Sequence, residues 1–255
     1  MVLPRRLGQD EVAGLVDHLG ELRTRLVVSL VALTAGFGIA YAFHGHLIHW
    51  LNKPLNGRQP VTFAVTEPFT TSLKVSMYAG FALALPVILW QVWGFFAPAV
   101  KKGTERTLLA CVAFASLLFA GGIAFAYAVA LPAAVHFLTN YDDNIYNIQV
   151  RASSYYSFAL MVLLSVGLVF ELPVFLLALV RLGITSATKL RRNRRIGYVA
   201  VAAVAVALPG VDPVTTFFEM VPLMVLFETS IWLAVGLEKR MRNAATRTSA
   251  TPAGF

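Results

Sequence analysis

The 255-residue sequence contains few charged residues and a single cysteine. Asp, Glu, Lys and Arg make up 13% of the chain, whereas 58% of its residues are hydrophobic and the mean hydropathy is +0.70. Because soluble domains contain about 25% charged residues, this composition indicates an integral membrane protein. The lone cysteine, Cys111, excludes an intramolecular disulfide.

The sequence also lacks the motifs of common catalytic and cofactor sites. It has no GxxxxGK[ST] loop for nucleotide phosphates and no HExxH zinc motif. His44, His46 and His49 lie close together, but no cysteine or acid stands beside them to complete a metal site. We interpret them, with Trp50, as an amphipathic segment at the membrane surface. We therefore expect no metal, no cofactor and no enzymatic activity.

The net charge of +8 could indicate a nucleic-acid partner. However, the Lys and Arg residues flank apolar runs and form no stripe with interleaved aromatic residues. We expect no nucleic-acid binding, and membrane topology explains the basic residues better.

Six apolar runs predict an all-α protein with six membrane-spanning helices. The runs cover residues 26–43, 71–96, 107–131, 155–180, 196–208 and 216–237. A span needs about 20 residues, so the fifth run, with 13, is short. We expect a cytoplasmic amphipathic segment before them, over 1–25, and a disordered cytoplasmic tail after them, over 238–255.

Prolines inside three of these runs predict that the helix bundle is bent. Pro86, Pro173 and Pro222 lie in the second, fourth and sixth runs. Each proline removes a backbone hydrogen bond and clashes with the preceding turn, which kinks the helix.

The distribution of basic residues predicts the topology. If the N-terminus is inside, the inner segments 1–25, 97–106, 181–195 and 238–255 hold 17 of the 21 Lys and Arg residues. This excess predicts that both termini are cytoplasmic. The densest group, KLRRNRR at 189–195, is interpreted as a topology determinant near anionic lipid.

The stretch HLGELRTRL, residues 18–26, combines an apolar and a polar helix face just before the first run. Its leucines recur at helical spacing, and Glu21 and Arg25 can pair at i, i+4, which is worth only about 0.2–0.5 kcal/mol. The polar face is either an ordinary solvated face or part of a binding site.

A second acid, Glu105, lies in the basic inner loop FFAPAVKKGTER, residues 95–106. It pairs locally with Arg106, or stabilises the start of the third span as an N-terminal acid, or belongs to a binding site. Together with Glu21 it could receive two guanidinium groups, which carboxylates bind bidentately.

These stretches resemble, in order, the signatures of the TatC family, the multi-span receptor subunit of the twin-arginine protein translocase. HLGELRTRL resembles its N-terminal signature, and FFAPAVKKGTER its first inner loop. The other matching stretches are NKPL, which contains Pro54 and Leu55, then FELPV, GITS, PGVDP and LFE. The resemblance covers residues 11–240.

The resemblance implies six transmembrane helices in a bent, cupped bundle with a short fifth and sixth helix, in the bacterial cytoplasmic membrane. It implies binding of the twin-arginine signal peptides of folded precursors. It also implies recruitment of TatA- and TatB-type single-span subunits, a complex with several copies, and transport driven by the proton-motive force. The residues that it places at the signal-peptide site are Glu21, Glu105, Arg23, Arg25 and Phe96.

An acid within a membrane span is energetically unfavourable, so its presence indicates a specific role or partner. A charged acid at mid-membrane costs about 2.5 kcal/mol or more, and Glu171 lies in the fourth run, two residues before Pro173. It is either a protonated acid bonded to backbone that Pro173 frees or, as the resemblance implies, a contact for the partner subunits on the concave face.

Four further polar residues are expected in or beside the last span. Asp212 is a candidate N-cap and matches a polar position of the family. Thr216 stands where we expect glutamine in many relatives. We expect Glu228 to be satisfied within the bundle and Glu219 to lie near the outer surface.

Two other functions remain open from the residues alone. A proton-coupled secondary transporter could use Glu171 and Glu228 as relays, although the short fifth run has no short counterpart to suggest a repeat. An intramembrane enzyme would need a nucleophile–base pair, which the spans lack.

Overall fold

The computed structural model describes residues 9–96, 105–145, 148–181, 183–209 and 212–249, which form α-helices and no β-sheet. In chain order the helices are α1 (Gln9–Ala42), α2 (His44–Asn52), α3 (Glu67–Phe96), α4 (Glu105–Phe125), α5 (Leu131–Asn140), α6 (Ala152–Val169), α7 (Leu172–Arg181), α8 (Ala187–Arg192), α9 (Arg194–Ala207) and α10 (Pro213–Ser249). The predicted all-α class is confirmed.

Five helical segments of the described chain are long and apolar enough to cross a membrane. They are Gly20–Ala42, Glu67–Phe95, Leu109–Asn140, Ala152–Arg181 and Pro213–Lys239. They match the first four and the sixth of the predicted spans. The expectation of a short sixth helix is wrong, because its span covers 27 residues. The fifth run forms α9, whose 14 residues extend only about 21 Å.

Two helical segments extend beyond the predicted spans. A π-helical turn, Ala126–Ala130, joins α4 to α5, so the chain stays helical to Asn140, beyond the end of the third predicted span at 131. Pro132 does not stop it and lies two residues after the π-helical turn, a kind of local irregularity that accompanies kinks in continuous helices. At the other end, α10 runs to Ser249 instead of giving way to a disordered tail at 238, in a stretch that includes good helix formers.

The three predicted kink prolines behave differently. α3 continues through Pro86 and α10 through Pro222. At Pro173 the fourth span breaks: α6 ends at Val169 and α7 begins at Leu172. Glu171 therefore lies in a turn between two helices.

The helices α1 and α3 touch through their backbones. A Cβ atom added at Gly36 would lie 2.5 Å from the carbonyl oxygen of Gly80, and one added at Gly80 would lie 2.5 Å from the backbone nitrogen of Phe37. Both positions require glycine, which lets two membrane helices approach closely.

The bundle has two ends that differ in composition. The cap end carries α2 and residues 53–66, 141–145 and 148–151, above a core that includes Leu51, Leu55 and Tyr155. The basic end carries Arg25, the ends of α3 and α7, the start of α4 and the basic run 189–195. A second core, which includes Val201, Leu223 and Ile231, joins α9 to α10.

Candidate functional site

The predicted pair of Glu21 and Arg25 forms on α1 at the basic end. Arg25 Nε and one terminal nitrogen donate to Glu21 Oε1 at 2.9 and 2.6 Å. The Glu21 side chain remains 36% exposed, and that of Arg25 23%. The polar face of α1 thus presents a partly exposed carboxylate whose orientation is set by a guanidinium one turn away.

Arg25 also ties this carboxylate to α3. Its other terminal nitrogen lies 3.3 Å from the backbone oxygen of Gln91 and 3.4 Å from Gln91 Oε1. A Cβ atom at Gly94 would lie 2.3 Å from that nitrogen, so the guanidinium needs the space that glycine leaves. Sequence reasoning did not identify Gln91 or Gly94, because no motif links them to Arg25, which lies 66 and 69 positions earlier in the chain.

The other predicted residues of this site lie at or beside it. Arg23 is exposed on α1 and, two positions from Arg25, does not share its face. Phe96 ends α3, two residues beyond Gly94, and Glu105 begins α4. The side chains of Phe96 and Glu105, and residues 97–104 between them, lie outside the described part of the chain. The start of α4 at Glu105 agrees with an acid that stabilises a helix N-terminus.

Glu171 lies half-buried in the turn between α6 and α7. Its backbone nitrogen donates to the oxygen of Leu168 at 3.1 Å. Its Oε1 atom is buried and has no hydrogen-bond partner among the described residues. This carboxyl oxygen therefore does not bond the backbone that Pro173 frees.

Asp212 caps α10, as the sequence predicts. Its Oδ1 accepts from the backbone nitrogen of Thr215 at 2.7 Å, and its Oδ2 accepts from the hydroxyl of Thr215 at 2.6 Å. The Thr216 hydroxyl donates to the Asp212 backbone oxygen at 3.0 Å. Asp212 is buried, so its carboxylate is committed to this helix end.

Glu228 is satisfied within the bundle, but by α9 and not by its own neighbours. The Tyr198 hydroxyl donates to Glu228 Oε1, and Arg194 lies 3.3 Å from Glu228 Oε2. The adjacent hydroxyls of Thr229 and Ser230 both donate to the backbone of α10 instead.

Glu219, in the first turns of α10, is a buried acid. It is 1% exposed, and neither carboxyl oxygen has a hydrogen-bond partner in the described residues. It follows the buried Thr215 by one helix turn on α10. This helical spacing from the cap at Asp212 was the one signal that could have indicated its burial.

The cap end contains a second Glu–Arg pair that the sequence did not reveal. Glu67 is 2% exposed, and its carboxylate accepts from the backbone nitrogens of Phe63 and Ser153, each at 2.9 Å. Arg151 Nε adds a bond of 3.1 Å. Beside it, Val61 and Arg151 form a short parallel β-bridge, so the two loops of the cap are fastened together.

Pro54 and Leu55 are buried residues of the cap. They are buried in a 3-10 turn, Lys53–Leu55, that follows α2. The Tyr155 hydroxyl donates to the Leu51 backbone oxygen, and the Tyr156 hydroxyl to Asn52 Oδ1 at 2.7 Å. These bonds hold α2 and the turn on the start of α6.

Comparison with known proteins identifies a family. The family model TatC, described as Sec-independent protein translocase protein, matches residues 17–222. A TatC protein of Carboxydothermus hydrogenoformans is 35% identical over 229 residues, which cover 89% of this chain and 94% of the relative. A chloroplastic TATC protein of Arabidopsis thaliana is 37% identical over 235 residues, 90% of this chain and 69% of the relative.

A solved structure shares the fold. A crystal structure of the twin-arginine translocase receptor TatC superposes with a TM-score of 0.76 at 31% sequence identity. The match covers 85% of this chain and 99% of that chain. The likeness therefore extends over nearly the whole of the solved molecule.

Proposed function

We propose, from the premise that this chain belongs to the TatC family of Sec-independent protein translocase proteins, that it binds the twin-arginine signal peptides of exported precursors. The observation that carries the proposal is the Glu21 carboxylate at the basic end, oriented by Arg25 and partly exposed. Its neighbours in the proposed site are Arg23, Phe96 and Glu105.

The chemistry of this site suits arginine better than lysine. A carboxylate offers about four acceptor positions, and a guanidinium donates two parallel hydrogen bonds to it, whereas an ammonium is a point charge. A peptide arginine would add to, or exchange with, the Arg25 contact at Glu21. Glu105, at the start of α4, would receive the second arginine.

The proposed topology places the site in the cytoplasm. With the basic end inside, both termini are cytoplasmic and 17 of the 21 Lys and Arg residues lie on the inner side. α9 then serves as a short fifth of six spans in the bacterial cytoplasmic membrane. Signal peptides emerging from synthesis would meet Glu21 directly.

Photo-crosslinking in inverted membrane vesicles tests the receptor site. A photoreactive residue replaces Thr24, which is exposed three positions after Glu21, so both acids stay intact. Thr34 is the matched control, because it is also exposed and also donates to the backbone four residues earlier, but it lies ten positions further along α1. We expect a twin-arginine peptide to crosslink at 24 and not at 34, and a twin-lysine peptide to crosslink weakly.

Two outcomes would contradict this site. Equal crosslinking of the arginine and lysine peptides would show simple charge attraction instead of bidentate recognition. Crosslinking at 34 alone would move the peptide away from Glu21.

We further propose that the protein recruits TatA- and TatB-type single-span subunits, and that it works in a complex with further copies of itself. The observation that supports a contact at Glu171 is its buried Oε1 without a hydrogen-bond partner in the described residues. A polar group on a partner helix would satisfy it. The resemblance also points to Asp212, Thr216 and Glu228 for partner contact. Because Asp212 caps α10 and Glu228 bonds Tyr198 and Arg194, the proposal rests on Glu171.

Replacement of Glu171 separates recruitment from signal binding. We expect Glu171→Leu to bind signal peptide normally, to co-purify less partner subunit and to lower transport, whereas Glu171→Gln keeps a polar side chain and much of the recruitment. Unchanged transport by Glu171→Leu would show that the acid has no part in recruitment. A proton relay through Glu228, the transporter alternative, is not favoured, because that carboxylate is paired with Arg194.

A further inference from the structure

A cavity of about 360 Å³ lies where α3, α4, α7 and α10 meet. Its walls are largely apolar, and six of the lining residues are Trp93, Phe114, Val174, Arg181, Trp232 and Leu237. Its volume falls in the range of sites for small ligands. Arg181 is the one charged residue among the described residues that line it.

The cavity lies near the end of the bundle where charged residues follow the apolar runs. Arg181 ends α7, and Leu237 directly precedes Glu238 on α10. Trp93 lies three residues before the end of α3, and Cys111 lies six residues after the start of α4. All four helices thus contribute residues from the same level, at the basic end.

The side chains at this level suit both the acyl chain and the phosphate of a phospholipid. Val174, Ala178 and Arg181 follow one another at spacings of four and three on α7, so an apolar stripe ends in a guanidinium. In the described part of the chain no carboxylate forms an ion pair with Arg181. Guanidinium binds phosphate bidentately, and tryptophan is enriched at headgroup level.

We propose that this cavity binds an anionic phospholipid, with an acyl chain along α7 and α10 and the phosphate on Arg181. The charge of Arg181 favours an anionic lipid over an apolar partner helix, because such a helix would leave the Arg181 guanidinium without an anion. Basic pockets between membrane helices on the positively charged side are typical anionic headgroup sites. The inference does not depend on signal-peptide binding, since Arg181 lies outside the proposed peptide site.

Native mass spectrometry of the purified protein tests this with defined lipids. Dioleoyl phosphatidylglycerol and dioleoyl phosphatidylcholine share their acyl chains and differ in net charge. We expect the full-length protein to retain phosphatidylglycerol preferentially, and Arg181→Gln to bind it about fivefold more weakly, the contribution of one basic residue near anionic lipid. Arg191→Gln is the matched control, because it removes the same charge from an exposed position of the basic run.

A second variant tests the cavity itself. Ala178→Phe fills it while Arg181 stays intact, and we expect it to lose phosphatidylglycerol as well. Circular dichroism checks that each variant is folded. If Ala178→Phe does not fold, the test rests on Arg181→Gln.

Four results would overturn the proposal. They are equal weakening by Arg191→Gln, equal retention of the two lipids, full retention by a folded Ala178→Phe, and displacement of the lipid by glycerol 3-phosphate, which would indicate a site for free phosphate.

Discussion

The two ends of the bundle each hold a Glu–Arg pair, in opposite surroundings. At the cap end, the Glu67 side chain is 2% exposed, and its carboxylate bonds two backbone nitrogens as well as Arg151. At the basic end, Glu21 is 36% exposed and bonds Arg25 one helix turn away. The same two residue types fasten loops in one place and leave a carboxylate within reach of solvent in the other.

The two carboxylates differ in what happens to their hydrogen-bond donors when the carboxylate is removed. Removing Glu67 would leave two backbone N–H donors without an acceptor, and buried unsatisfied groups cost about 1–3 kcal/mol each. Removing Glu21 would leave Arg25 its bonds with Gln91, and the partly exposed guanidinium can bond water. The cap pair is therefore expected to matter for stability, and the α1 pair for binding.

The largest effect is expected from Glu67→Ala. The Phe63 and Ser153 nitrogens would lose their acceptor, so we expect a loss of roughly 3 kcal/mol in the free energy of unfolding. Denaturant unfolding in detergent measures it, together with protease cleavage in residues 56–66. Asp143→Ala is the control, because it removes an exposed carboxylate from the same cap. Equal stability of the two variants would contradict a structural role for Glu67.

Next in size is the effect of Glu21→Ala on signal-peptide binding. A hydrogen bond to a charged group contributes about 1.5–3 kcal/mol, so we expect affinity to fall by about tenfold or more. Stability should change by less than about 0.5 kcal/mol, the worth of an i, i+4 pair. Fluorescence titration with a labelled twin-arginine peptide measures the first and unfolding the second.

Glu105→Ala should weaken the peptide complex in the same way, and the double variant more than either. Normal affinity in the double variant, once its membrane insertion is verified, would refute the assignment of both acids. Thr24→Ala serves as the neutral control on the exposed part of α1.

The smallest effect is expected from Arg25→Lys. Lysine keeps the charge but cannot bond Glu21 and Gln91 together as the planar guanidinium does. A less fixed Glu21 should bind the peptide about threefold more weakly, the worth of one modest hydrogen bond. The exposed Arg23→Lys is the comparison. A gain in affinity in Arg25→Lys would instead show that Arg25 competes with the peptide.

Features encoded over short distances were predictable from the sequence. Apolar runs gave the main spans, and Asp212 was identified as a helix cap because a cap bonds residues three positions away. Pro173 marked the break beside Glu171. The pairing of Glu21 with Arg25 followed from helical spacing alone.

Features that join distant parts of the chain were not predictable. Arg25 meets Gln91 across 66 positions, and Glu67 meets Arg151 across 84. Nothing in either local pattern specifies such a partner. The space for Arg25 at Gly94 depends on how closely α1 and α3 approach, which is a property of the packed pair. The extension of the third span through α5 likewise depends on a π-helical turn, which no spacing rule predicts.

The pairing of Arg194 with Glu228 has a consequence for the lipid around the protein. Glu228 lies 10 residues, about 15 Å along α10, before Glu238, the next charged residue on that helix. If α9 is the proposed fifth span, Arg194 at its start would lie below the membrane surface. Headgroups and water would follow such a charge inward, and a hydrocarbon layer of about 30 Å would compress beside a helix of about 21 Å. In the proposed topology, the bilayer beside α9 is locally thin, and a thin bilayer is a smaller barrier to whatever crosses next to it.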